Sequence, residues 1–331
     1  MRVVLALFTA ALFATAGPAR GQTAVDTLAD GRSGKIHFAS VTPVGYFQLV
    51  RGAPMVQTTV FGTLLLPAGA SGRTPAMVVA HGSGGVSDAR EFKWARQLAT
   101  WGIAAFVVDS FTPRHIDSTA ADQSKLSTAA NVADTLFALK LLTTHPRIDP
   151  ARIGVIGFSK GGQVALYTAL EPYRLAVMKD SPARFAAHVA LYPYCNDWHV
   201  AEHLTGSPLL LLLGGRDNYT PAQQCRDYAG WLRGKGAEAT VIVYPEAFHG
   251  FDGTLSARHV ANVVSGRNCS DTIDLDRYTV TLRPSGEDVT ATARSYFRNC
   301  FSRGATIGGD AEARERAPAD VGAFLKRVFK L

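Results

Sequence analysis

The sequence predicts an α/β architecture: a mostly parallel central sheet with helices on both faces. Three observations predict it. Apolar runs of strand length recur along the chain, at 76–80 (AMVVA), 103–108 (IAAFVV), 152–156 (RIGVI) and 209–213 (LLLLL). They lack the in–out alternation of a half-exposed sheet, so both of their faces are expected to be covered. Helical stretches separate them, and glycine-rich turns such as 81–85 (HGSGG) and 157–162 (GFSKGG) mark strand ends.

Each element follows in chain order. Arg2 precedes residues 3–16 (VVLALFTAALFATA), an apolar run too short to cross a bilayer, which needs about 20 residues. With Ala14-x-Ala16 and Ala19-x-Gly21 behind it, the stretch 1–21 reads as a secretory signal peptide, and the mature chain is expected in the periplasm or outside the cell. Residues 35–40 and 58–66 (TTVFGTLLL) are strands joined by a loop, which suggests an antiparallel edge. Strand 76–80 is followed by helix 91–100 and strand 103–108, then by helix 126–142 and strand 152–156. A helix over 160–170 leads to strand 187–192, then strand 209–213, helix 222–233 and strand 239–244. From 269 to 300 the pattern is polar and irregular, and a final helix is expected over 319–330. The reading is one domain over 22–331, with a core at 36–252 and a C-terminal extension at 253–331.

Composition narrows the function classes. Of 331 residues, 47% are hydrophobic and 18% charged, and mean hydropathy is +0.05, which excludes disorder and a multi-span membrane protein. Loss of Arg2 and Arg20 with the leader would reduce the net charge from +7 to about +5. The remaining basic residues are scattered, so nucleic-acid binding is not indicated, and no membrane span remains after leader cleavage. Four cysteines in an exported chain suggest two disulfides, for which Cys195–Cys225 and Cys269–Cys300 are the expected pairs among three possible connectivities.

The chemistry gathers at strand ends. Gly157-Phe158-Ser159-Lys160-Gly161 fits G-x-S-x-G directly after a strand and at the start of a helix. A sharp turn there strains the serine backbone, and the glycines remove Cβ atoms that would collide. A serine hydroxyl needs a base to take its proton and an acid to orient that base. Asp217 follows strand 209–213 and His249 follows strand 239–244, in the chain order expected for such a triad. Asp180 and Asp197 compete with Asp217 as the acid, and Asp252 is expected to cap or support. The amide of Lys160, with that of Ser83 or alternatively Gly84, would form an oxyanion hole. The Lys160 side chain is expected in solvent, and His81 is read as fixing its loop.

The strings HGSGG, GFSKGG, GGRDNYTP and YPEAFHGFD, in this order between residues 36 and 252, resemble the dienelactone hydrolase family of α/β-hydrolases. The resemblance implies the α/β-hydrolase fold and Ser159 as nucleophile, Asp217 as acid and His249 as base. Founding members of that family use cysteine at the nucleophile position and are intracellular, whereas this chain has Ser159 and a leader-like start. The expected activity is therefore that of an exported serine esterase acting on a small-molecule ester or lactone through an acyl-enzyme, with no metal or organic cofactor. A serine peptidase of related fold and a non-catalytic ligand-binding protein are the alternatives.

Weaker signals remain. His199-Val200-Ala201-Glu202-His203 fits the H-x-x-E-H zinc pattern but lacks a distal third ligand. Trp198 is a candidate wall of the substrate pocket, and Arg114 a candidate contact for a substrate carboxylate.

Overall fold

A computed structural model describes residues 23–69 and 72–331; the leader expected at 1–21 lies outside the described residues. In chain order the elements are β1 (Gly34–Thr42), α1 (Tyr46–Val50), β2 (Val56–Leu65), β3 (Thr74–Ala80), α2 (Lys93–Thr100), β4 (Ala104–Asp109), α3 (Thr128–Leu142), β5 (Ile148–Phe158), α4 (Lys160–Tyr167), α5 (Glu171–Met178), β6 (His188–Leu191), β7 (Asp197–Val200), β8 (Leu209–Gly214), α6 (Ala222–Gly234), β9 (Ala239–Tyr244), β10 (Arg258–Ser265), β11 (Asp271–Asp274), β12 (Thr279–Leu282), α7 (Ala293–Cys300), β13 (Ser302–Ile307) and α8 (Ala311–Phe329).

Eight strands form the main sheet in the order β1-β2-β4-β3-β5-β6-β8-β9. Strand β2 runs antiparallel to both β1 and β4, and every later neighbour pair is parallel. The edge hairpin is the one expected from the sequence, with the short α1 in its connection. Both faces of the sheet are covered. Val78 and Ala80 of β3 join one apolar cluster with α3, α4 and α6, while Met77 and Val79 join another with α2 and α8. Burial on both sides is why these strands read as continuous apolar runs. The chain leaves β3 for β4 on one side and returns to β5 on the other. The carboxyl ends of β3 and β5 therefore flank a switch point, where open α/β sheets bind their ligands.

The segment 269–300, expected to be irregular, is ordered: it holds β11, β12 and α7, with β11 between β12 and β7 in a three-stranded sheet, and the strands that flank it, β10 and β13, pair with each other. Strand β7 was not anticipated either, because its parallel partner β11 lies more than 70 residues along the chain and nothing local announces such a pair. Disulfides Cys195–Cys225 and Cys269–Cys300 are both formed; the second ties the loop before β11 to the end of α7.

The last helix also starts earlier than expected, at Ala311, because the Asp310 side chain caps it by accepting from the Ala313 amide at 2.8 Å. It runs through Pro318. Ala313, Ala317, Val321, Phe324, Leu325 and Phe329 bury one face against the sheet, which offsets the proline penalty of about 3 kcal/mol. Among the described residues no helix is long and apolar enough to cross a membrane.

Candidate active site

Ser159 sits between the end of β5 and the start of α4 with φ 55° and ψ −114°, a backbone state that an L-residue keeps only under compulsion. The neighbouring glycines supply that compulsion. A Cβ on Gly157 would lie 1.9 Å from the Gly161 carbonyl oxygen, and one on Gly161 would lie 2.0 Å from the Ala80 oxygen. The turn and the end of β3 therefore meet backbone to backbone, and the Ser159 amide is pinned to the Leu191 oxygen at 3.0 Å.

The loops after β8 and β9 bring two more side chains to the serine. His249 Nε2 lies 2.9 Å from Ser159 Oγ, and His249 Nδ1 lies 2.8 Å from Asp217 Oδ2. Asp217 accepts from the Tyr219 and Thr220 amides at 2.8 Å each through Oδ1, and from the Thr220 hydroxyl at 2.9 Å through Oδ2. With its carboxylate so saturated, Asp217 has one task left: to accept the Nδ1 proton and leave Nε2 free to face the serine. Tyr192 and Tyr219 pack edge-on against the imidazole, at 4.8 and 4.7 Å between ring centres. Burial and the charge of Asp217 push the Tyr219 phenol up to about 12.

The two loops can approach because Gly214 and Gly215 lack side chains; a Cβ there would lie 2.5 Å from the Ala247 oxygen and 2.3 Å from the Pro245 oxygen respectively. The extension holds the histidine loop from outside. The amides of Gly308 and Asp310 donate to the His249 and Phe251 oxygens at 2.9 and 3.0 Å. Asp252, the sequence's supporting carboxylate, accepts from Trp94 Nε1 at 2.8 Å and from the Tyr192 hydroxyl at 2.7 Å.

The glycine-rich loop after β3 lies beside this group. A Cβ on Gly82 would sit 3.5 Å from that of Ser159, and Ser83 lines the same pocket as Ser159 and Lys160, whereas Gly84 is exposed outside that lining. His81 fixes the loop by accepting from the Ser110 amide at 3.2 Å while its Nδ1 donates to the Gly82 oxygen at 2.8 Å.

Several residues sit elsewhere than the sequence suggested. The Lys160 side chain is buried, not solvated: Nζ donates to Gln123 Oε1 at 3.2 Å, the Leu126 oxygen at 3.1 Å and Thr119 Oγ1 at 3.5 Å. Burial pulls this ammonium down to about 8. Gln123 in turn donates to Ser83 Oγ at 3.1 Å, so the lysine is tied to the β3 loop.

Arg114 is not available to a substrate. Its guanidinium forks onto Asp134 at 2.8 and 3.0 Å and also bonds Thr42 Oγ1 and the Ser110 oxygen. A buried carboxylate outcompetes a transient ligand for it. Trp198 is not a pocket wall either. It packs on Tyr228 and lies under the Arg283 guanidinium, 4.1 Å from its ring centre, because β7 turns it into the second small sheet's own packing. In the H-x-x-E-H segment His199 points inward to the Tyr173 hydroxyl at 2.6 Å, while Glu202 and His203 are exposed, so the three side chains do not converge.

Sequence reasoning missed much of the pocket, which has a volume of about 670 Å³. One wall is Phe297 and Phe301 with Arg294 and Arg298, contributed by α7 and its end; the inner part includes Gln163, Tyr194 and Asp197. A second recess of about 560 Å³, between α2 and α8, has no serine, histidine, cysteine or carboxylate side chain in its lining.

Comparisons agree with this arrangement of elements. The chain is 26% identical to Acylamino-acid-releasing enzyme 2 of Oryza sativa subsp. japonica over 54% of its own length, but spans only 28% of that relative. It is 27% identical to Quorum-quenching protein AidA of Acinetobacter baumannii, covering 77% of this chain and 87% of that one. The solved structure of MGS-M1, an alpha/beta hydrolase enzyme from a Medee basin deep-sea metagenome library, superposes with a TM-score of 0.52 at 16% identity, covering 91% of this chain and all of the other. Residues 60–270, more than half of the chain, match the model of the dienelactone hydrolase family, and the chain belongs to that family.

Proposed function

We propose that the protein is an exported serine hydrolase that cleaves carboxylic ester or lactone bonds through an acyl-enzyme. The observation that carries this reading is the unbroken relay from Ser159 Oγ through His249 to Asp217, with links of 2.9 and 2.8 Å. His249 takes the hydroxyl proton as Ser159 attacks the carbonyl, and Asp217 stabilises the imidazolium that forms. The oxyanion develops against the amides of Lys160 and Ser83. Neither amide donates to a protein acceptor among the described residues, so both are free for a ligand oxygen. His249 then protonates the leaving alcohol and activates water to release the acyl group. Export is supported by the two disulfides, which persist in an oxidising compartment.

The test is hydrolysis of nitrophenyl esters from acetate to octanoate by the mature chain and by Ser159→Ala, alongside a fluorophosphonate label. Turnover and labelling in the parent, both lost in the variant, are expected. Full turnover in Ser159→Ala would overturn the reading. The likeness to a relative named as an acylamino-acid-releasing enzyme favours one second reading, hydrolysis of acylated peptide amides, which an acyl-amino-acid anilide in the same assay separates.

A further inference from the structure

We propose that Gln163 and Asp197 form a subsite that recognises a hydroxyl group of the substrate, close to the bond that Ser159 attacks. The proposal rests on the esterase reading above and names the class of ester: one that carries a free hydroxyl on its acyl or alcohol part.

Position comes first. Gln163 lies one turn of α4 beyond the nucleophile, its amide donating to the Ser159 oxygen at 3.0 Å, and a helical turn advances about 5.4 Å. Asp197, at the start of β7, faces it. Both line the cavity that contains Ser159, and they are only 5% and 7% exposed.

Their hydrogen bonding is incomplete. Among the described residues Gln163 Nε2 lies 3.4 Å from each Asp197 carboxyl oxygen, His199 Nε2 stands off at 3.9 Å, and the neighbouring Tyr167 hydroxyl makes its 3.2 Å bond to the Asp197 main-chain oxygen. The same Gln163 nitrogen makes its short bond elsewhere, to the Tyr167 hydroxyl at 2.7 Å. The nearby cation is engaged too: Arg283 donates to the Asp271 and Asn196 carbonyl oxygens and stacks on Trp198. A carboxyl this deep whose side-chain partners are all long is costly, and an apolar side chain would pack there at less expense.

The chemistry of the pair identifies what would satisfy it. Burial, reinforced by the neighbouring Asp271 carboxyl, raises Asp197 well above the ordinary carboxylate range and so favours its neutral form. A neutral carboxyl both donates and accepts, as does the Gln163 amide. A hydroxyl is the small group that matches both capacities at once. An alkyl chain would leave the carboxyl without a short partner.

The experiment compares kcat/KM within two matched pairs: nitrophenyl 3-hydroxybutyrate against nitrophenyl butyrate, and glycerol monobutyrate against propyl butyrate. The parent enzyme is expected to favour the hydroxylated member of at least one pair by about tenfold or more. In Asp197→Leu that ratio should fall to about one or below, whereas Asp197→Asn, which still donates and accepts, should retain most of it. Because each ratio is taken within a single variant, a general loss of activity does not affect it. Gln163→Leu provides an independent route should Asp197→Leu fail to fold. A parent ratio near one in both pairs overturns the proposal, as does an unchanged ratio in the Leu variants. Absence of all ester turnover together with absence of fluorophosphonate labelling instead removes the esterase reading beneath it.

Discussion

Lys160 offers a direct test of how the turn at Ser159 is held. The residue is 5% exposed, none of the three hydrogen-bond partners of its ammonium is a carboxylate, and burial lowers that group from 10.5 to about 8. Between those two values the unfolded chain holds the proton and the folded chain has released it, so stability rises with pH across that window. Below about pH 8 the whole penalty is present; it corresponds to ~3 kcal/mol at about 1.4 kcal/mol per pH unit. From about pH 7 to about pH 9.5 the expected gain is about 2 kcal/mol. Buried tyrosines such as Tyr46 and Tyr228 act in the opposite sense only as pH passes about 10, where the unfolded phenols ionise. Denaturant unfolding of the parent and of Lys160→Met across this range isolates the lysine, because the tyrosine contribution is common to both. The parent should gain on the variant by about 2 kcal/mol. A difference that stays constant with pH would show that Lys160 is not a buried cation, and the account of the loop it ties would fail with it.

Other expectations are as specific. Asp217→Asn should preserve the fold yet lower kcat by about 10⁴, since an amide cannot hold the imidazole in the required tautomer; a near-parent kcat in steady-state assays would remove Asp217 from the relay. Arg114→Ala leaves Asp134 buried without its partner and should cost about 3–5 kcal/mol in denaturant titrations, with little change in KM for a carboxylate-bearing ester. Replacing Cys269 and Cys300 by Ser opens a link between residues 31 positions apart and should cost about 3–4 kcal/mol, while relaxing discrimination among acyl lengths because α7 walls the pocket. Buried His188 is held down to about 4, so the unfolded chain takes up a proton first as pH falls from about 6.5; stability should drop by ~3 kcal/mol towards pH 4, and His188→Asn should flatten that limb.

What was legible in the sequence is what local physics dictates. The parallel strands announced themselves because two-sided burial forces continuous apolar runs, and 239–244 was placed to the residue. The turn around Ser159 was legible because steric exclusion at Gly157 and Gly161 leaves glycine as the only residue that fits. The strand ends where Ser159, Asp217 and His249 were expected do meet in space. What stayed hidden depends on partners distant in sequence. Strand β7 exists because β11 lies beside it, and the Arg114 fork is taken by Asp134 from a different helix. The final helix was expected only from 319, yet packing of the Ala313–Phe329 face carries it through Pro318, whose missing amide ordinarily interrupts a helix. Lys160 reads as a surface residue by type, and only the loop folded over it makes it an interior one.

The hydrogen bonds that the Gly308 and Asp310 amides donate to the histidine loop also set a schedule. Synthesis delivers Ser159, then Asp217, then His249, and some 60 further residues before the segment after β13 that clasps that loop. The helix that completes the second face of the sheet comes later still, as the last element of the chain. A chain cut between residues 249 and 308 would thus contain Ser159, Asp217 and His249 without the brace that holds the His249 loop. The position of His249 is thus fixed late, by contacts that reach back from residues some 60 positions further along the chain.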